Sequence, residues 1–104
     1  PDWLPRKQEY IAHIGAASAE ARFVSTADKL HNSRAILRDL RRIGDDIWSR
    51  FTATKLGTLS YYNALIREFK QAGSNELVEE LDRTVSEIFK EANEPRDPDQ
   101  PLQE

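Results

Sequence analysis

The stretch "SAEARFVSTADKLHNSRAILRDLRRI", residues 18–43, contains neither proline nor glycine. No other feature limits the fold so strongly. As a helix it would run roughly 40 Å at 1.5 Å per residue. A chain of 104 residues has room for one small domain and one core. The remaining elements must therefore pack along this rod. Ser18 suits its N-cap and Gly44 its end.

The other segments share the helical period. Pro5 fits the first turn of a helix whose stripe is Tyr10, Ile11 and Ile14, closed by Gly15. Asp45 or Asp46 starts a short helix holding Ile47, Trp48 and Phe51. Thr54 opens another, with Leu59, Tyr62, Leu65, Ile66 and Phe69 on one side, Gly57 marking a looser first turn and Gly73 the end. Ser74 caps a last one, in which Leu77, Leu81, Val85, Ile88 and Ala92 recur every three or four residues. No strand-like alternation or hairpin turn is present. The fold class expected is all-α, about five helices, over residues 1–93. Residues 94–104, ending "PRDPDQPLQE", are proline-rich and acidic with one leucine, and read as a disordered tail.

Composition narrows the function. With 15 basic against 18 acidic residues the net charge is −3, which argues against a general nucleic-acid binder. There is no cysteine, hence no disulfide, thiol nucleophile or thiolate metal site. No apolar run approaches the roughly 20 residues of a membrane span, and no signal-peptide pattern opens the chain, so a cytoplasmic location is expected. The sequence has no methionine and begins with Pro1. Composition leaves open a trimmed initiator and a piece of a longer protein.

Within residues 18–43, Phe23, Leu30 and Leu37 share one face at about 100° per residue. Asp28 points nearly the other way. Beside it lie Ala21, Val24, Asn32 and Ala35, small and uncharged where a solvated face would show Lys and Glu. The pattern predicts a helix buried on two sides, with Asp28 on the second. A buried carboxylate needs a partner, hydrogen bonds or a metal. Spacing alone leaves both an internal pairing and a ligand site open.

The text "STADKLHNSRAIL" closely resembles the last motif of the HD-domain metal phosphohydrolases, and most nearly the alarmone, or (p)ppGpp, hydrolases of the Rel/Spo type. The resemblance continues through "RKQEYIAHI", "LRRIGDDIWSRF" and "KLGTLSYYNAL", covering most of residues 5–70. Its most specific part is "ADKLHN", residues 27–32. It implies that Asp28 is a metal ligand and that Asn32 lies beside a bound nucleotide. Of the pair Tyr61 and Tyr62, one reads as a core residue and the other, taken as Tyr61, as a contact to a nucleotide base or ribose. The resemblance also implies one divalent cation, commonly Mn2+, and release of pyrophosphate from a guanosine polyphosphate nucleotide. An oxygen and nitrogen donor set suits that chemistry.

The departures matter as much. The family's other ligands are an upstream histidine and a His-Asp doublet, followed by an acidic pair for proton transfer. Here the histidines are His13 and His31, in "AHIG" and "LHNS", and neither precedes an aspartate. The chain therefore resembles the C-terminal half of an HD domain. No catalytic residue is assigned, and the piece alone is expected to be inert, without its own metal. A homo-oligomer is expected, because the missing half would leave one face of the long helix bare. An Asp28–His31 chelate is the minor alternative to a packing histidine. Arg34, Arg38, Arg41 and Arg42 read first as a solvated face paired with Asp39, Asp45 and Asp46, and second as phosphate contacts. The rival function is a non-catalytic helical interaction or regulatory module.

Overall fold

A computed structural model describes residues 2–103. Pro1 and Glu104, the outer ends of the two expected segments, lie outside them. Four α-helices follow in order: α1 (Trp3–Ala16), α2 (Ala19–Ile43), α3 (Lys55–Gly73) and α4 (Glu76–Glu91), with a 3-10 turn at Gly44–Arg50 between α2 and α3. The described residues contain no strand. The all-α expectation holds.

The starts and stops follow local chemistry. Ser18 Oγ accepts from the Ala21 N–H at 3.1 Å, and Thr54 Oγ1 from the Gly57 N–H at 3.0 Å. Each satisfies an amide that the first helical turn leaves unpaired. Gly44 ends α2 at φ +67°, a backbone conformation that costs glycine little. The cap of α4 is one residue later than the sequence suggested. Asn75 Oδ1 accepts from the Val78 N–H at 2.9 Å, while Ser74 Oγ donates to Glu79.

α1 packs on α3, and α2 packs on α4 and the 3-10 turn. The α4 stripe is buried as its period requires, with Leu81 and Val85 fully inaccessible and Val78, Ile88 and Phe89 beside them. Thr26, Leu30, Ser33, Ile36 and Leu40 form the inward face of α2. The buried hydroxyls of Thr26 and Ser33 donate back to the Arg22 and Leu30 carbonyls, so neither is left without a partner. Arg34–Glu80 and Arg41–Glu87, both at 3.5 Å, tie the exposed edges of α2 and α4. Arg38 and Arg42 instead reach Asp39 on their own helix. No described helix is long and apolar enough to cross a membrane.

Two expectations change. The helix enclosed on all sides is α3, not α2: every residue from 57 to 66 is buried. On α2, Ala21, Asp28 and Asn32 are exposed, Val24 is 68 % exposed and Ala35 is half-buried. Small uncharged residues permit a neighbour but do not supply one, and α4 covers only the opposite face. Phe23, expected on the core face, is 55 % exposed.

The segment after Glu94 has no regular structure, as its prolines dictate, yet it is seated rather than loose. It turns back at Asn93, where φ is +58°, and lies along α3. Its composition offers little apolar surface, and polar groups on α3 hold it by its backbone instead.

Candidate functional site

α1, α2, the 3-10 turn and the start of α3 enclose a cleft of about 730 Å³, within the range of small-molecule sites. Its walls are aromatic and cationic. Trp3 and Tyr10 come from α1, Phe51 from the loop, and Tyr61 and Tyr62 from α3; Arg6 and Lys7 come from α1, Lys29 from α2 and Arg50 from the turn.

The cations sit on the rings. Lys7 Nζ lies 4.3 Å from the centre of the Tyr61 ring, and Lys29 Nζ lies 4.9 Å from that of Tyr10 and 5.9 Å from that of Tyr61. Such placements are favourable but weak replacements for a counter-ion. Lys29 has one carboxylate near it, Asp28 at 3.7 Å. Among the described residues neither Arg6 nor Lys7 has a carboxylate within 4.0 Å. Burial, then Lys29 and Arg6 beside it, lowers the Lys7 pKa below its ordinary 10.5. Positive charge is thus crowded into a partly desolvated space.

The phenols stay protonated at neutral pH. Burial first, then Asp28, pushes Tyr62 up to about 12. Burial first, then Tyr10, Tyr62 and Asp28, raises Tyr61 as well. The two rings meet edge to face at 5.8 Å, and both phenols remain able to donate a hydrogen bond. Tyr10 Oη donates to Ser25 Oγ at 3.1 Å, joining the two sides of the cleft.

Asp39 lies on the wall nearest the 3-10 turn and is 8 % exposed. Arg50 Nη1 donates to its Oδ2 at 2.8 Å and Arg38 Nε to its Oδ1 at 3.2 Å, and these hydrogen bonds lower its pKa below the ordinary 3.8. A lowered carboxylate pKa stabilises the fold above the unfolded value, and that contribution is lost as pH falls through the folded one. The native chain is therefore expected to melt above an Asp39→Asn variant at pH 7, with the gap closing below the ordinary 3.8. A gap unchanged as the pH falls well below the ordinary 3.8 would show that the charge of Asp39 is not what matters.

Two of the three residues expected at a site come together. Asn32 and Tyr61 both line the cleft. Asp28 does not line it; its carboxylate is 60 % exposed and paired with Lys29. His13 and His31 are both exposed. Among the described residues no group of three or more His, Asp or Glu side chains is placed to hold a metal ion. Asp28 offers one donor, which does not hold a catalytic cation against water, so the residues present do not fit a metal site by themselves. Arg6, Lys7 and Lys29 escaped sequence reasoning. Each looks like an ordinary solvated charge, and the "RK" at residues 6–7 was the one available signal.

No family model matches the chain, and no curated protein does.

Proposed function

We propose that this chain is part of a metal-dependent phosphohydrolase of the HD type, and that its cleft holds the phosphorylated nucleotide, (p)ppGpp or a close relative. One observation carries the reading: Asn32, singled out by the motif resemblance, and Tyr61 share a cleft with Arg6 and Lys7, which among the described residues have no carboxylate partner, and with Lys29, whose one carboxylate neighbour is the exposed Asp28. Aromatic walls suit a base, Asn32 supplies a donor and an acceptor, and Arg6, Lys7 and Lys29 suit phosphate oxygens. In this proposal Asp28 contributes one donor to a divalent cation, and the remaining donors are supplied from outside the described residues. The chain's own part is to bind and orient.

Calorimetric titration of guanosine tetraphosphate into the chain tests this. Saturable one-to-one binding in the micromolar range is expected, with guanosine alone far weaker. Added Mn2+ should bring no pyrophosphate release by the chain itself, whereas the complete gene product should turn over. Absence of nucleotide binding at millimolar concentration would overturn the cleft assignment, and robust turnover by the chain would overturn the part-domain reading.

A second reading, a helical interaction module, draws support from Phe23 and Val24, 55 % and 68 % exposed on α2. Self-association through that face without nucleotide binding would favour it.

A further inference from the structure

The C-terminal segment is read by α3 through its backbone. Asn63 Nδ2 donates to the Asp97 carbonyl at 2.7 Å. Arg67 Nη1 donates to the Pro98 and Gln100 carbonyls at 2.9 and 2.7 Å. The Gln103 N–H donates to Ser60 Oγ at 2.9 Å. Ser60, Asn63 and Arg67 recur at three- and four-residue spacing, so they form one polar ladder along the helix.

One side chain of the segment acts as a latch. Arg96 Nε donates to Asn63 Oδ1 at 3.0 Å, which engages the second end of an amide that is only 2 % exposed. The same guanidinium pairs with Asp82 at 2.7 Å, donates to Ser86 Oγ and lies 5.8 Å from the Phe89 ring centre. It thereby bridges α3 and α4. Charge-assisted bonds of this kind are the stronger class.

The far end of the segment reaches the cleft wall. A Cβ placed on Gly57 would stand 3.0 Å from the Trp3 ring and 3.2 Å from the Gln103 carbonyl. Gly57, far from loosening the first turn of α3, is the point where the α1 indole and the tail converge. Both Trp3 and Gly57 line the cleft.

We propose that residues 95–103 are a strap that braces the cleft: latched by Arg96, its end holds Trp3 against the first turn of α3, and its release loosens that wall. Docking of the strap and occupancy of the cleft then favour each other, since a coupling between two sites acts in both directions. This holds whatever the cleft's ligand is.

The test uses the full chain with Arg96→Ala and, separately, Arg67→Ala. Amide exchange is followed at Gln103 and at Gly57, whose N–H bonds Thr54 Oγ1 at 3.0 Å. Trp3 emission is followed in a Trp48→Phe background, which leaves one of the two tryptophans. Both amides are expected to exchange at least about tenfold faster, the loss of a charge-assisted hydrogen bond, with Trp3 emission shifted to the red. Arg83→Ala, which removes an exposed arginine paired with Glu80, should change neither. Exchange needs no tryptophan background, so it decides the matter if the Phe variant folds poorly. A freed Gln103 amide with Gly57 and Trp3 unmoved would overturn the bracing. A Gln103 amide unmoved in both variants would overturn the latch.

Discussion

Exchanging Lys7 and Lys29 for glutamine together is expected to weaken binding of guanosine tetraphosphate about a hundredfold or more while leaving the helices intact. Each ammonium stands to form a charge-assisted bond worth about 1.5–3 kcal/mol, and about 1.4 kcal/mol is tenfold in affinity. The single variant Lys7→Gln separates a ligand-binding role from a structural one. Burial, with Lys29 and Arg6 nearby, lowers the Lys7 pKa, so its positive charge opposes folding of the empty chain. Removing that charge should raise the thermal midpoint of the free chain even as affinity falls. A residue that served only packing would lower the midpoint and leave affinity alone. Titration calorimetry and thermal melts on the same samples give both signs. Undiminished affinity in the double variant would remove the lysines from the site.

The largest effect on stability is expected at Phe69. It is 1 % exposed, the largest of the fully buried side chains, and belongs to α3, the helix enclosed by the others. Phe69→Ala should cost about 3–5 kcal/mol, through lost transfer energy and the cavity left behind, against a total of about 5–15 kcal/mol for a domain. The midpoint should fall by about 15 °C or more in a chain of this size. Urea unfolding monitored by circular dichroism measures it. A loss of less than about 1 kcal/mol, the value typical of an average substitution, would mean that the interior re-closes around the gap.

Much of the fold is written in short-range signals. Ser18 and Thr54 cap the helices they were expected to cap, and Gly44 and Gly73 fall at helix ends. The stripe Leu59, Tyr62, Leu65, Ile66 and Phe69 is wholly buried. Which helix lies in the middle was harder to read. Ala21, Val24 and Ala35 suggested that α2 was covered twice. The same kind of signal, Gly57, Thr58, Ser60, Asn63 and Ala64 without a charge among them, stood in α3, the helix that is covered. The rule was sound, but the neighbours that complete it are set by tertiary packing. The cleft was half legible. Asn32 stood out through a motif and Tyr61 as one of a tyrosine pair, whereas Arg6, Lys7, Lys29 and Arg50 lie on three elements and mean little until folding brings them together. The strap was illegible because hydrophobic periodicity does not register a segment held by its carbonyls.

That last feature bears on how such a chain can change over generations. The contacts from Asn63, Arg67 and Ser60 go to backbone atoms of residues 97, 98, 100 and 103, which nearly any amino acid supplies. Arg96, through its guanidinium, and Leu102, packed against the core, contribute the particular side chains that seat the segment on the helices, while Asp97 Oδ1 accepts from the Asp99 N–H at 3.0 Å within it. Between those two anchors the sequence can drift almost freely while the path across α3 stays the same. Descendants of this chain would then keep an arginine and a leucine six positions apart inside text that no longer aligns, and their shared architecture would outlast their visible kinship there.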